Sequence, residues 1–114
     1  MKDAFKRWLA DNTLLPGVLA CGVRFPDRES FSQCYSDALK SDQLRDVWQA
    51  VADASAQLGA KPAPPQRHRW VFESAHIHVA VRSDGVSLGV LTRPDASAAA
   101  VGAVLESFLA FAPA

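Results

Sequence analysis

Little in this sequence carries chemistry on its own. Among 114 residues there are only two cysteines, one methionine and one tyrosine. Cys21 and Cys34 are too few for a disulfide-stapled scaffold, and they lack the spacing of a zinc site. Net charge is missing as well. Twelve basic and twelve acidic residues cancel, so no broad field gathers nucleic acid or an anionic membrane surface. No apolar run reaches the ~18 residues of a spanning helix. There is no glycine-rich phosphate loop, no repeat, and no serine or cysteine placed beside a base and a third orienting group. These absences argue against an enzyme, a cofactor, a nucleic-acid partner and a membrane partner. What remains is a 49% hydrophobic chain of a length that suits one domain over residues 1–114.

One stretch imitates a targeting signal. Val18-Leu19-Ala20-Cys21 loosely resembles a lipoprotein cleavage box, with Lys2, Lys6 and Arg7 upstream. Asp11, Asn12, Pro16 and Gly17 interrupt the intervening segment, so no apolar h-region of ~7–15 residues exists. The expectation is a cytoplasmic protein.

Phe5, Trp8 and Leu9 recur at helical spacing and predict a short amphipathic helix over 3–10, ended by Leu14-Leu15-Pro16-Gly17. Segments 18–25 and 30–35 flank Pro26-Asp27-Arg28-Glu29 and predict a hairpin. A two- or four-residue loop there sets Cys21 opposite Cys34, read as two reduced thiols in a sheet. Gly22 suggests a bulge or a close approach. Leu44, Val47, Trp48, Val51, Ala54 and Leu58 form the stripe of a middle helix capped by Ser41 or Asp42 and closed by Gly59. A proline-rich connector over 60–66 follows.

The stretch from Arg67 to Arg93 reads as three antiparallel strands. Asp84-Gly85 between two apolar runs predicts a two-residue type I′ turn. That register pairs Val81 with Leu88, Val79 with Val90 and Ile77 with Thr92. A tight turn at Ser74-Ala75 would pair Phe72 with Ile77 and Trp70 with Val79. The opposite face then carries rows of Glu73, His76 and Arg93; Val71, His78 and Leu91; and Arg69, Ala80 and Gly89. After Pro94, with Asp95 or Ser97 as cap, a last helix presents Val101, Val104, Leu105, Phe108 and Leu109.

His76-Ile77-His78 is the one metal-like pattern, since residues two apart on a strand point the same way. A third ligand is missing and His68 falls on the other face, so no metal site is expected. Trp8 and Trp70 read as core, while Trp48 is the aromatic a partner helix could use.

The order helix, two strands, helix, three strands, helix, with Pro16-Gly17-Val18-Leu19-Ala20-Cys21-Gly22-Val23 as first strand and His76 through Thr92 as last hairpin, resembles the roadblock/dynein light chain family over essentially the whole chain. The loop Pro26-Asp27-Arg28-Glu29 and the proline-rich connector depart from the family pattern. The resemblance implies an α+β fold: a five-stranded antiparallel sheet with helices on both faces, in the order α-β-β-α-β-β-β-α, the middle helix on one face and the terminal helices on the other. It also implies a homodimer and, in bacteria, regulation of small Ras-like GTPases. The expected function is a non-catalytic interaction module that regulates or scaffolds such a GTPase or another cytoplasmic protein. In the roadblock-like order the strand 67–73 is an edge, and a two-fold axis lets such an edge satisfy its own copy. The expected interface residues are Leu44, Val47, Trp48 and Val51 of the middle helix with Arg69, Trp70, Val71 and Phe72 of the edge strand. Arg67, Arg69 and Glu73 act as gatekeepers against indefinite stacking. Two further readings are a small-molecule sensor of profilin or PAS type, with a pocket around Gly22, Ala80 and Gly89, and a secretion-chaperone-like dimer.

Overall fold

The computed structural model of the chain describes residues 2–27, 29–35, 66–71 and 75–112. Two helices, α1 (Lys2–Asn12) and α2 (Ala98–Ala110), accompany five strands: β1 (Val18–Arg24), β2 (Ser30–Cys34), β3 (Gln66–Val71), β4 (His76–Val81) and β5 (Ser87–Thr92). The strands form one antiparallel sheet in the order β2-β1-β5-β4-β3. This is the α+β, five-stranded sheet that the family resemblance implies, with β3 at an edge. The middle helix expected over 42–58, and with it Leu44, Val47, Trp48 and Val51, lies outside the described residues, as does Phe72.

The helices follow from their apolar spacing. Phe5, Trp8 and Leu9 of α1 and Val101, Leu105 and Phe108 of α2 are all buried. Both helices lie on the same face of the sheet, where their side chains form one cluster with Cys21, Val23, Ala80, Leu88 and Val90. Phe5 is its centre, with ring centroids 5.8 Å from Phe25 and Phe108 and 5.4 Å from Phe111. Aromatic side chains of this size bury roughly 150–250 Å² each, so this contact carries much of the fold's apolar burial. Ser97 caps α2, its Oγ accepting from the Ala100 amide at 3.2 Å. The sheet's second face buries Ala20, Ile77, Val79 and Leu91, with Trp70 packed against them.

Both hairpin registers differ from the sequence expectation by one residue, for the same reason. Phe25 donates to Glu29 O at 2.8 Å, and Cys21 pairs with Gln33 while Ala20 pairs with Cys34. The loop therefore has three residues, 26–28, and the two cysteines are not opposed. Arg82 likewise donates to Val86 O at 2.9 Å, enclosing Ser83-Asp84-Gly85. Gly85 sits at φ +88°, the left-handed residue of a three-residue hairpin rather than half of a type I′ turn. The pairs are Val81–Ser87, Val79–Gly89 and Ile77–Leu91. An odd loop reverses every side chain of the returning strand, so Leu88, Val90 and Thr92 share a face with Ala80, His78 and His76 instead of Val81, Val79 and Ile77.

The β3–β4 ladder pairs Trp70 with Ile77 and Val71 with His76. This is a shift of two residues from the expected register, so the faces are kept but the neighbours change. The bulge in β1 falls at Leu19, between the pairs Val18–Thr92 and Ala20–Leu91, while Gly22 lies directly opposite Gly89. Gly17, at φ +88°, closes the turn from Leu15 to Val18, where the Val18 amide donates to Leu15 O at 3.1 Å with Pro16 at the second position.

Candidate functional site

Three places bring polar side chains together. The first is a buried chain of hydroxyls and a thiol. Cys21 Sγ donates to Thr13 Oγ1 at 3.1 Å, Thr13 donates to Leu9 O at 2.5 Å, and the Tyr35 hydroxyl lies 3.0 Å from Thr13 and 2.8 Å from Gln33 Oε1. Burial pushes both the Cys21 thiol and the Tyr35 phenol up from their ordinary values. A thiol kept protonated and bonded to hydroxyls, with no imidazole beside it among the described residues, is a structural donor rather than a nucleophile. The network ties the end of α1 to β1.

The second is the histidine pair. His76 and His78 share the helix-bearing face, ring centroids 6.3 Å apart. Among the described residues no third metal-ligating side chain joins them. The register sets His78 between Arg69 and Val90, not between Val71 and Leu91, and sets His76 between Val71 and Thr92. His78 is only 8% exposed, and its Nε2 lies 3.3 Å from Thr92 Oγ1. Burial depresses its pKa, and the nearby His76, Arg69 and Arg67 lower it further.

The third is the β3 edge and the groove beside it. Arg67 and Arg69 alternate with position 68 along β3 and share the helix-bearing face with His78 and Ala80. Between them and α2 runs a groove of about 450 Å³, lined by Arg67, Arg69, His78, Ala98, Gly102 and Leu105. It exists because α2 turns its small residues, Ala98 and Gly102, toward the edge strand. Arg67 reaches across to Glu106 Oε1 at 2.7 Å. Arg69 has no carboxylate partner among the described residues.

Trp70 faces the other way, onto the second face, half-buried against Ile77. Its indole Nε1 is buried and has no hydrogen-bond partner among the described residues, an expensive state for a polar N–H where nothing accepts from it. Val71, the last residue of the strand, is 59% exposed. Of the residues expected at an interface, Arg69, Trp70 and Val71 therefore stand on one edge strand, though Arg69 points into the groove. The pocket expected around Gly22, Ala80 and Gly89 does not form as one site: Gly22 and Gly89 are on the face of Val79, and Ala80 is on the helix-bearing face. Sequence reasoning missed the groove. Its signal was two arginines at strand spacing, on the same face as His78.

No helix among the described residues is long and apolar enough to cross a membrane. No protein-family model and no curated protein matches the chain by sequence. Among solved structures it is similar to MglC from Myxococcus xanthus, with 19% identity, TM-score 0.56 and 93% of each chain covered. It is also similar to Myxococcus xanthus MglB, with 12% identity, TM-score 0.54, 90% of this chain and 80% of the other covered. With this strand order and these structural neighbours, the chain has a roadblock-like α+β fold.

Proposed function

We propose that the chain is a non-catalytic regulatory module that works as a homodimer through its β3 edge and, in that form, regulates or scaffolds a protein partner of the small Ras-like GTPase class. The observation that carries this reading is the state of β3. It is the terminal strand of the sheet, it ends on an exposed valine, and its tryptophan holds a buried N–H with no acceptor among the described residues. An edge of this kind is a template for another strand, and an isologous contact lets one sequence complete both halves. The fold likeness to MglB and MglC supports a regulatory rather than an enzymatic reading.

Sedimentation of the full chain tests the dimer. Association at tens of micromolar that is lost in Val71→Pro supports it, and a monomer at that concentration overturns it. Capture of a purified small GTPase by the dimer, compared in its two nucleotide states, tests the partner class; equal failure in both states removes the GTPase from the proposal.

A further inference from the structure

We propose that the groove between β3 and α2 is a binding site for a phosphate group, with Arg69 and Arg67 as its cationic wall and His78 at its floor. The inference concerns one face of a single chain and goes beyond the dimer reading.

The groove is built, not incidental. Gly102 lies on its wall, and a Cβ there would stand 3.4 Å from Arg67 Nη2, in ordinary contact, so the guanidinium lies close along the helix at a position with no side chain. Glu106 holds that guanidinium at 2.7 Å and fixes its position without closing the groove. Arg69 contributes a second guanidinium with no carboxylate partner among the described residues. His78 is nine-tenths buried at the same place. When the Thr92 hydroxyl donates to Nε2, the ring proton sits on Nδ1, and the imidazole is a donor. Ala98 opens α2 at one end of the groove, which adds the positive end of the helix dipole.

These donors come from two adjacent strands and line one groove. A carboxylate offers two oxygens in one plane, which a single guanidinium fork satisfies. A phosphate offers three peripheral oxygens around a tetrahedral centre, and so can accept from Arg69, Arg67 and His78 together. The groove's volume exceeds that of the anion, and Leu105, two helical turns from Ala98, gives it an apolar part, where the carbon frame of a phosphomonoester would lie. Among the described residues, the charged and titratable groups around His78 are Arg67 and Arg69 from β3 and His76 from β4, with Glu106 of α2 paired to Arg67. With three of these four basic, a bound dianion would raise the affinity of the imidazole for its proton.

The test is a nuclear magnetic resonance titration of the full chain at constant ionic strength, first with inorganic phosphate and then with glycerol 3-phosphate. Saturable shifts confined to Arg67, Arg69, His78, Ala98 and Gly102 are expected, with His78 titrating at higher pH in the bound state. Arg69→Gln should weaken binding about tenfold or more. Gly102→Leu, which fills the groove and favours the helix, should do the same with the native spectrum kept. Saturation by phosphate as strongly as by the ester supports a free anion as ligand, and tighter binding of the ester supports a phosphorylated metabolite. Absence of saturable shifts with both, or unchanged binding in both variants, would overturn the proposal. The readout is ligand binding, not association, so it stands or falls separately from the dimer.

Discussion

Arg82 Nη1 stands 2.6 Å from both Phe108 O and Phe111 O. One guanidinium at the end of β4 thus takes up the Phe111 carbonyl just past α2 and shares that of Phe108, which also accepts from the Phe111 amide at 3.2 Å. The same side chain lies over the rings of Phe5 and Phe108, at 5.1 and 5.5 Å from their centroids. Its Nε donates to Asp84 at 3.1 Å. The hairpin turn, the end of α2 and the start of α1 are held by a single cation. Arg82→Met keeps the stem and removes the donors, and it should cost about 1.5–3 kcal/mol, the range for hydrogen bonds to a charged group. Urea unfolding measures it. A loss under half a kcal/mol would show that water serves the carbonyls equally well.

Gly17 makes a second sharp prediction. Its φ of +88° disfavours any L side chain, and a Cβ there would sit 2.7 Å from Ala96 Cβ. Its carbonyl also accepts from the Arg93 amide at 2.8 Å, so the turn cannot move away without releasing the end of β5. Gly17→Ala should destabilise by more than ~1 kcal/mol, the reverse of the usual gain when a glycine is replaced at a permissive position. Thermal unfolding of the two proteins side by side decides it.

These two residues also show where the sequence is legible and where it is not. Phe5, Trp8 and Leu9 declare α1 because one helical stripe has one way to be buried, and Ser97 declares the start of α2 because few residues cap as well. Gly85 announces a turn. It does not announce the turn's length, since both a two-residue type I′ turn and a three-residue loop with a bulge place glycine at positive φ. The Asp84 carboxylate accepting from Val86 N at 3.1 Å belongs to the three-residue form, and that one residue reverses β5. The β2 register is misread in the same way at 26–28. The groove was illegible for another reason. Arg67 and Arg69 read as edge charges and Ala98 and Gly102 as generic helix residues, and only the packing of α2 against β4 brings them together.

The Cys21 thiol should be inert in the native chain. Burial raises its pKa and Thr13 holds it at 3.1 Å, so the thiolate that reacts with disulfide reagents is scarce at neutral pH. In a Cys34→Ala background, Cys21 should remain unlabelled until denaturant is added. Rapid labelling under native conditions would contradict the buried network.

His78 gives the fold a pH dependence of predictable sign. Its pKa in the folded chain is below the ordinary 6.5 because burial, His76 and the two arginines disfavour the imidazolium. The unfolded chain therefore binds the proton first as pH falls. This contribution to stability is complete above about pH 7, and is lost progressively as pH drops below 6.5 and through the folded pKa. His78→Gln should flatten the fall in stability between about pH 7 and pH 5, measured by urea midpoints at each pH.

Trp70 allows the dimer reading to be tested at the level of one atom. Its Nε1 is buried without a partner among the described residues, and such a donor costs about 1–3 kcal/mol when nothing accepts from it. Trp70→Phe removes the donor and keeps most of the ring's packing against Ile77. If a second chain supplies the acceptor at the β3 edge, the substitution should weaken association and leave the unfolding of the dilute chain unchanged or slightly improved. Val71→Pro, one residue on, should weaken association through the backbone instead, because proline carries no N–H to donate across an edge. Sedimentation over a concentration series, set beside unfolding at the lowest concentration, separates the two effects. A Trp70→Phe protein that associates as well as the parent and unfolds more readily would place the tryptophan's role within one chain, and the edge pairing would lose its best support.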